Sequence, residues 1–267
     1  MKHANDLHIS SLASLSPAAR NAILNELTAA DAAALLYDWR FLARPEQLPP
    51  DGNWRIWIIN AGRGAGKTRA GAEWVRMLAE TGAARRIALV GRTMTDVREV
   101  MLDGESGLLS ISPPWNRPTY QPSRRRLTWA NGAVAVAYSG DKPDQLRGPQ
   151  HDAAWADELA AWRFDASWHN LMLGLRLGTQ PRAVVTTTPR PTRLIRQLLS
   201  DPDVVVTHGT TYDNAANLAP SALASLIRQY GGTRLGAQEL EARLLDDAAG
   251  ALWRRAWFEV DGFRVRE

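Results

Sequence analysis

The 267-residue chain contains no cysteine, which excludes disulfide bridges and cysteine-ligated zinc sites. Its five histidines are scattered and none falls in an HExxH pattern, so a histidine-held catalytic zinc is not expected either. No apolar run approaches the roughly 18 residues that a membrane-spanning helix needs. The opening MKHANDLHIS lacks the apolar stretch of a secretory leader, so the expectation is a cytoplasmic chain with no membrane partner. Internal repeats, low-complexity tracts and coiled-coil heptads are also missing.

What is present is an ordinary globular composition, 45% hydrophobic and 22% charged, with a net charge of +4. Arginine carries the positive excess in clusters: Arg85-Arg86, Arg124 to Arg126, Arg190/Arg193/Arg196 and Arg254-Arg255. Such a balance suits nucleic acid, and equally a solvated surface beside bound nucleotide phosphates.

Along the chain, short apolar runs alternate with amphipathic stretches. Residues 10 to 42 read as helical, with Ser16-Pro17 opening one helix and Asp31 capping another. A proline-rich connector, 43 to 54, leads to the apolar run Ile56-Trp57-Ile58-Ile59, which suits a buried parallel strand. After a glycine loop, Ala70, Trp74, Met77 and Leu78 share one helical face, and Gly82 stops the helix. Strands are expected at 85–93, 152–158, 183–191 and 203–208, with a helix at 95–102. The 152–158 run is weakened by its alanines, which puts its burial in question. Asn131-Gly132 joins two β-like runs in a hairpin. Beyond about 213 the chain turns helical and polar. The pattern predicts an α/β fold with a mainly parallel sheet flanked by helices.

The glycine loop is the stretch richest in chemistry. Ala61-x-x-x-x-Gly66-Lys67-Thr68 follows the P-loop spacing, with alanine where the strict pattern has glycine. Gly62, Arg63, Gly64, Ala65, Gly66, Lys67, Thr68 and Arg69 form the expected phosphate cradle, because glycines let backbone N–H groups approach phosphate oxygens. Lys67 would reach the β/γ-phosphates of ATP and the Thr68 hydroxyl would ligate Mg²⁺. Asp157-Glu158, at the end of a strand candidate, supply the second motif. Asp157 would hold Mg²⁺, and Glu158 would orient and deprotonate the attacking water. Sharing the metal between Thr68 and Asp157 requires their strands to lie adjacent or nearly so. The competing reading of Asp157-Glu158 is an exposed pair at a helix start. GDKPD, at 140 to 144, imitates a guanine-reading motif but precedes the carboxylate pair and begins with Asp141, so it reads as a polar turn.

Four segments in one order, ARPEQLPPDGNWRIWIINAGRGAGKTRAGAEWV, LRGPQHDAAWADELAAW, VVTTTPRPTRLI and TYDNAANLAPSALASLIRQYGGTRLGAQELEARLLDDAAGALW, resemble the large terminase subunit of tailed phages. The likeness is nearest to the type found in gene transfer agents and related prophages, and it runs from about residue 38 to the end. The resemblance implies a P-loop NTPase of the ASCE, RecA-like kind: a helical segment at 1–42, an ATPase core at 43–210 and a small helical lid or linker subdomain at 211–267. It implies an ATP-hydrolysing motor that moves double-stranded DNA into a procapsid. Its partners would be the portal protein, the small terminase subunit and further copies of itself in a ring. By the same resemblance Gln47 reads adenine, Arg63 contacts the γ-phosphate, and Arg147 is a trans-acting arginine finger. Thr187, within Thr186-Thr187-Thr188, would couple the phosphate state to motion. Arg147 also stands near Asp144 and Asp152, which offer a local ion pair, and a β-branched run is equally plain strand. The family's nuclease domain is absent from a chain that ends six residues after Asp261, so no DNA cleavage is expected. The alternative function is a P-loop helicase or recombination ATPase, which would use aromatic stacking platforms.

Overall fold

The computed structural model describes residues 9–245. Four short helices open it: α1 (Ile9–Ser14), α2 (Pro17–Glu26), α3 (Ala29–Leu36) and α4 (Trp39–Leu42). Ser16 caps α2 as expected, its hydroxyl accepting from the Ala19 N–H at 3.3 Å. Asp31 does not cap α3. Thr28 holds that position, and Asp31 lies three residues on, its carboxylate accepting from the Thr28 N–H to complete a capping box.

Eight strands follow: β1 (Ile56–Ala61), β2 (Arg86–Gly91), β3 (Thr119–Gln121), β4 (Arg126–Thr128), β5 (Val134–Ser139), β6 (Ala153–Asp157), β7 (Arg182–Thr187) and β8 (Val204–Gly209). They form one sheet in the order β3-β4-β5-β2-β6-β7-β1-β8. β5 through β8 pair in parallel across this order, and β3 and β4 add an antiparallel edge. The β4–β5 hairpin turns through Asn131-Gly132, as the sequence predicts. β3 gives no sequence signal, being three residues long between Pro118 and Pro122. The 95–102 helix forms as a short α turn, Met94–Asp96, continued by a π-helical stretch, Val97–Leu102.

Both faces of the central strands are covered, so each of these strands is apolar on both sides. Trp57, Ile59, Leu89, Trp155 and Val184 pack beneath the helix α5 (Lys67–Thr81). Ile58, Val90, Ala154, Ala156 and Val185 pack on the opposite side against Leu171 and Leu194. The alanine-rich β6 is buried along its whole length, which removes the question its composition raises. Small residues are what this position requires. A side chain at Gly71 of α5 would meet the Trp155 ring at 2.5 Å, so helix and strand approach closely only because both keep small neighbours around one large indole. Seven of the tryptophans, Trp57 and Trp74 among them, are buried in these cores, which agrees with reading them as packing residues. Among the described residues no helix is long and apolar enough to cross a membrane.

Past β8 the chain is helical, through Tyr212–Asn217, Pro220–Tyr230 and Arg234–Glu239. The expected lid boundary at 267 and the Arg254-Arg255 cluster lie outside the described residues.

Candidate functional site

β1 delivers the glycine loop to the C-terminal edge of the sheet, where β6 delivers Asp157 and β7 the threonines. β7 runs between β1 and β6, so the two motif strands are one strand apart. Gly66 caps α5 with a left-handed backbone, φ 81°, and a side chain there would meet Gln47 Nε2 at 2.6 Å. The first intrahelical bond runs from Ala70 N–H to Gly66 O at 3.1 Å. The N–H groups of Lys67, Thr68 and Arg69 therefore lie at the positive end of the helix without intrahelical acceptors.

These elements enclose a cleft of about 300 Å³ that Arg63, Lys67, Thr68, Asp157, Glu158 and Thr188 line. Lys67 Nζ lies 3.1 Å from Glu158 Oε1, so the loop's cation and the second motif's outer carboxylate form an ion pair across the cleft. Glu158 has a left-handed backbone, φ 50° and ψ 47°, which a non-glycine residue adopts at a cost of about 1–3 kcal/mol. Its Oε2 accepts from the Thr188 N–H at 3.3 Å. Asp157 is buried, and Thr186 donates its hydroxyl to Asp157 Oδ1 at 2.6 Å. Burial raises the Asp157 carboxyl to about 7; the Thr186 hydrogen bond opposes this, Glu158 adds to it, and Lys67 opposes it. The Asp157 carboxylate and the Thr68 hydroxyl, in the same cleft, are an oxygen-donor pair that suits Mg²⁺, a cation that takes one or two protein oxygens beside phosphates.

The remaining expected residues lie around the cleft or away from it. Arg63 is mostly exposed, with its guanidinium 3.5 Å from Glu239. Gly62, Arg63 and Gly64 are held by the later chain: Gly62 N–H donates to Gly209 O at 2.9 Å, Arg63 N–H to Glu239 O at 2.7 Å, Thr211 Oγ1 to Arg63 O at 2.6 Å and Asn214 Nδ2 to Gly64 O at 2.7 Å. Gln47 is buried and spends both ends of its amide within the chain, accepting from Arg44 N–H at 3.1 Å and donating to Gly66 O at 3.3 Å. Ala65 O accepts from Arg44 Nη2 at 2.6 Å. Arg69 does not line the cleft and forms a 2.8 Å ion pair with buried Glu73, over the Trp39 ring. Thr187 is buried beside the cleft, taking the Ala160 N–H at 3.3 Å, while its neighbours Thr186 and Thr188 make the carboxylate contacts. Arg147 does not line the cleft. It is exposed, and Asp152, its expected local partner, instead accepts the backbone N–H groups of Arg85 and Arg86 at 2.7 and 2.9 Å.

Sequence reasoning missed Arg92, Asp96 and Glu239, which also line the cleft, and named Arg190 only as part of a basic cluster. Arg92 directly follows β2, and a general rule that ligands bind beyond the carboxyl ends of parallel strands would have pointed to it. Glu239 arrives from 170 residues downstream and has no local signal. Arg44, which also donates to Asn214 at 2.8 Å, was likewise unread.

A family model described as the N-terminal part of the T4-like virus type of terminase large subunit matches residues 58–260, well over half of the chain. The chain belongs to the terminase large-subunit family. Among solved structures, the large terminase of the thermophilic bacteriophage D6E in complex with ADP aligns at a TM-score of 0.60 and 17% identity, over 80% of this chain and 52% of that one. The ATPase domain of the Thermus phage P74-26 large terminase aligns at 0.57 and 18% identity, over 77% of this chain and 95% of that domain. The HK97 bacteriophage large terminase aligns at 0.54 and 15% identity, over 73% of this chain and 47% of that one. The terminase chain thus has the P-loop NTPase fold of these ATPase domains and spans about half the length of the longer large terminases it matches. No curated protein matches it.

Proposed function

We propose that the chain is a Mg²⁺-dependent ATPase, the motor part of a packaging machine that drives double-stranded DNA into a phage-like procapsid. The observation that carries this reading is the single cleft in which Lys67, Thr68, Asp157 and Glu158 meet, with Lys67 and Glu158 at 3.1 Å. A triphosphate entering the cleft competes with Glu158 for Lys67, which leaves Glu158 free to take a proton from water. The free N–H groups at the start of α5 and the lysine ammonium bind the phosphates. Thr68 and Asp157 would hold Mg²⁺, which when bound neutralises charge on the phosphate oxygens. Arg63 adds a cation at the cleft rim. Gln47 and Arg44 shape the loop by holding the carbonyls of Ala65 and Gly66, and Gln47 offers the adenine contact only by giving up part of that bonding.

Arg147, exposed and outside its own cleft, fits a role in a neighbour's site within a ring. Portal protein and small terminase subunit are the further partners of such a ring, and the host cytoplasm is its setting. ATPase rate measured against protein concentration, for wild type and Arg147→Ala, tests the reading. A superlinear rise present only in the wild type is expected. Absence of Mg²⁺-dependent hydrolysis at any concentration, with duplex DNA supplied, overturns it.

A further inference from the structure

The sheet has a second charged edge, opposite the cleft. At the N-terminal ends of the strands, Arg55 precedes β1, Arg85 and Arg86 open β2, and Arg182 opens β7. Arg176 enters from the preceding loop, and Arg126, opposite Val136 on the antiparallel β4, lies two residues in from the edge and reaches the same groove as Arg85 and Arg86. Two open grooves occupy this edge. Arg55, Arg176 and Arg182 line one of about 620 Å³. Arg85, Arg86 and Arg126 line the other, of about 500 Å³.

Backbone bonds join the two grooves into one row. Val134 N–H donates to Arg85 O at 2.9 Å, Asp152 N–H to Arg86 O at 3.0 Å, Arg182 N–H to Asp152 O at 3.3 Å and Ala183 N–H to Arg55 O at 2.9 Å. With strands about 4.8 Å apart, the five steps from β4 to β1 span roughly 24 Å.

None of these six arginines forms an ion pair among the described residues, whereas the arginines of α5 are paired to Glu73 and Glu80. Of the acidic residues only Asp203 lines either groove, and Asp152, between them, spends both carboxylate oxygens on the N–H groups of Arg85 and Arg86. Arg55, Arg85, Arg86 and Arg176 are exposed, and the Nε atoms of Arg126 and Arg182 are buried without a hydrogen-bond partner. Arg182 is stacked 4.5 Å over Trp54, which holds its guanidinium in place.

We infer that this arginine row is a docking surface for the phosphate backbone of duplex nucleic acid. A guanidinium presents a planar fork that matches phosphate oxygens. A duplex offers a phosphate about every 3.4 Å along each strand, so roughly seven per strand fall within the row. The row has no large apolar anchor at its centre of the kind that dominates protein–protein contacts, which favours a regular polyanion over an acidic protein face. The inference rests on the DNA-motor reading and locates the DNA face away from Arg124 and Arg125 of the hairpin and from Arg190, Arg193 and Arg196.

The test is anisotropy of a fluorescent 30-base-pair duplex titrated with the full chain, without nucleotide, from 50 to 200 mM salt. The variant carries Arg55→Gln, Arg86→Gln and Arg176→Gln, three exposed positions, and a second variant carries lysine at the same three. Each lost phosphate contact lowers the slope of log K against log salt by about 0.9, so about 2.7 is expected for the glutamine variant. Over this fourfold salt range that is a difference of about 40-fold in affinity lost. The lysine variant keeps the wild-type slope, and the DNA-independent ATPase rate is unchanged in both. An unchanged slope in the glutamine variant beside a wild type that binds overturns the docking surface alone. So does a slope that falls only in Arg124→Gln/Arg125→Gln, or loss of poly-glutamate binding with duplex affinity intact. A wild type that binds no duplex at any salt overturns the motor reading together with it.

Discussion

The two ends of one sheet treat charge in opposite ways. At the C-terminal edge the charges are internally satisfied: Lys67 meets Glu158 across a narrow cleft, Arg92 pairs locally with Asp96 at 3.0 Å, and buried Asp157 accepts the Thr186 hydroxyl. At the N-terminal edge, four exposed and two half-buried arginines form no ion pair among the described residues. The first arrangement stores attractions that a ligand must displace, so binding there is selective and coupled to the protein's own contacts. The second leaves cations free for any polyanion, so binding there is salt-sensitive and indifferent to sequence.

The largest effect expected at the cleft is chemical. Glu158→Gln removes the proposed base and lowers turnover by about 10²–10⁴-fold. Nucleotide affinity, read by equilibrium binding of a fluorescent ATP analogue, stays or rises because Lys67 loses its internal competitor. A turnover equal to wild type breaks the assignment.

Paired and unpaired arginines should also separate in stability. Arg76 is buried between Glu73 and Glu80 and donates to Tyr37 O at 2.7 Å. Arg76→Gln strips buried Glu73 of one of its two arginine partners, leaving Arg69, and should cost about 2 kcal/mol in urea unfolding. Arg86→Gln, on the free edge, should stay within about 0.5 kcal/mol of wild type. Equal costs would erase the contrast.

The free edge has one titrating group of its own. His151 is buried, its Nε2 has no partner, and burial lowers it from 6.5 to about 4, with Asp152 opposing and Arg86 assisting the shift. The unfolded chain therefore takes up a proton that the folded chain refuses. Stability is full above pH 6.5 and falls as the pH drops towards 4, by about 3 kcal/mol over the whole window. His151→Leu should flatten thermal-melting curves across that range, and a wild-type melting temperature constant from pH 7 to 4.5 would contradict the burial.

A smaller effect belongs to Thr186. Thr186→Val deprives Asp157 of its 2.6 Å hydrogen bond, so Mg²⁺ affinity in nucleotide-supported binding should fall about 10–100-fold, with Thr186→Ser restoring it. Unchanged Mg²⁺ dependence would make Thr186 a strand residue only.

Much of this was readable from local pattern. The apolar run at 56–59, the glycines and the amphipathic helix behind them specify strand, loop and helix within some 25 residues, where each signal reinforces the next. Asp157-Glu158 was legible as a motif, yet its strand looked weak because alanine favours no extended conformation. Burial on both faces, against α5 on one side, overrode that preference. The cap of α3 was misread by three residues, because Thr28 and Asp31 both accept N–H bonds and only the backbone shows which precedes the helix.

By itself, then, the sequence determined the mainly parallel α/β fold, the glycine loop between strand and helix and the adjacent carboxylates at a strand's end, since each is written in contiguous residues with its own conformational preference. Only the tertiary structure decided that Lys67 pairs with Glu158, that Thr186 and Thr188 rather than Thr187 touch the carboxylates, that Arg147 stands outside its own cleft, and that six arginines from five segments form one row. The physical reason is the strand order. β7 and β6 lie between β1 and β2, so residues some 30 to 90 positions apart become neighbours through sheet pairing, which no local propensity encodes.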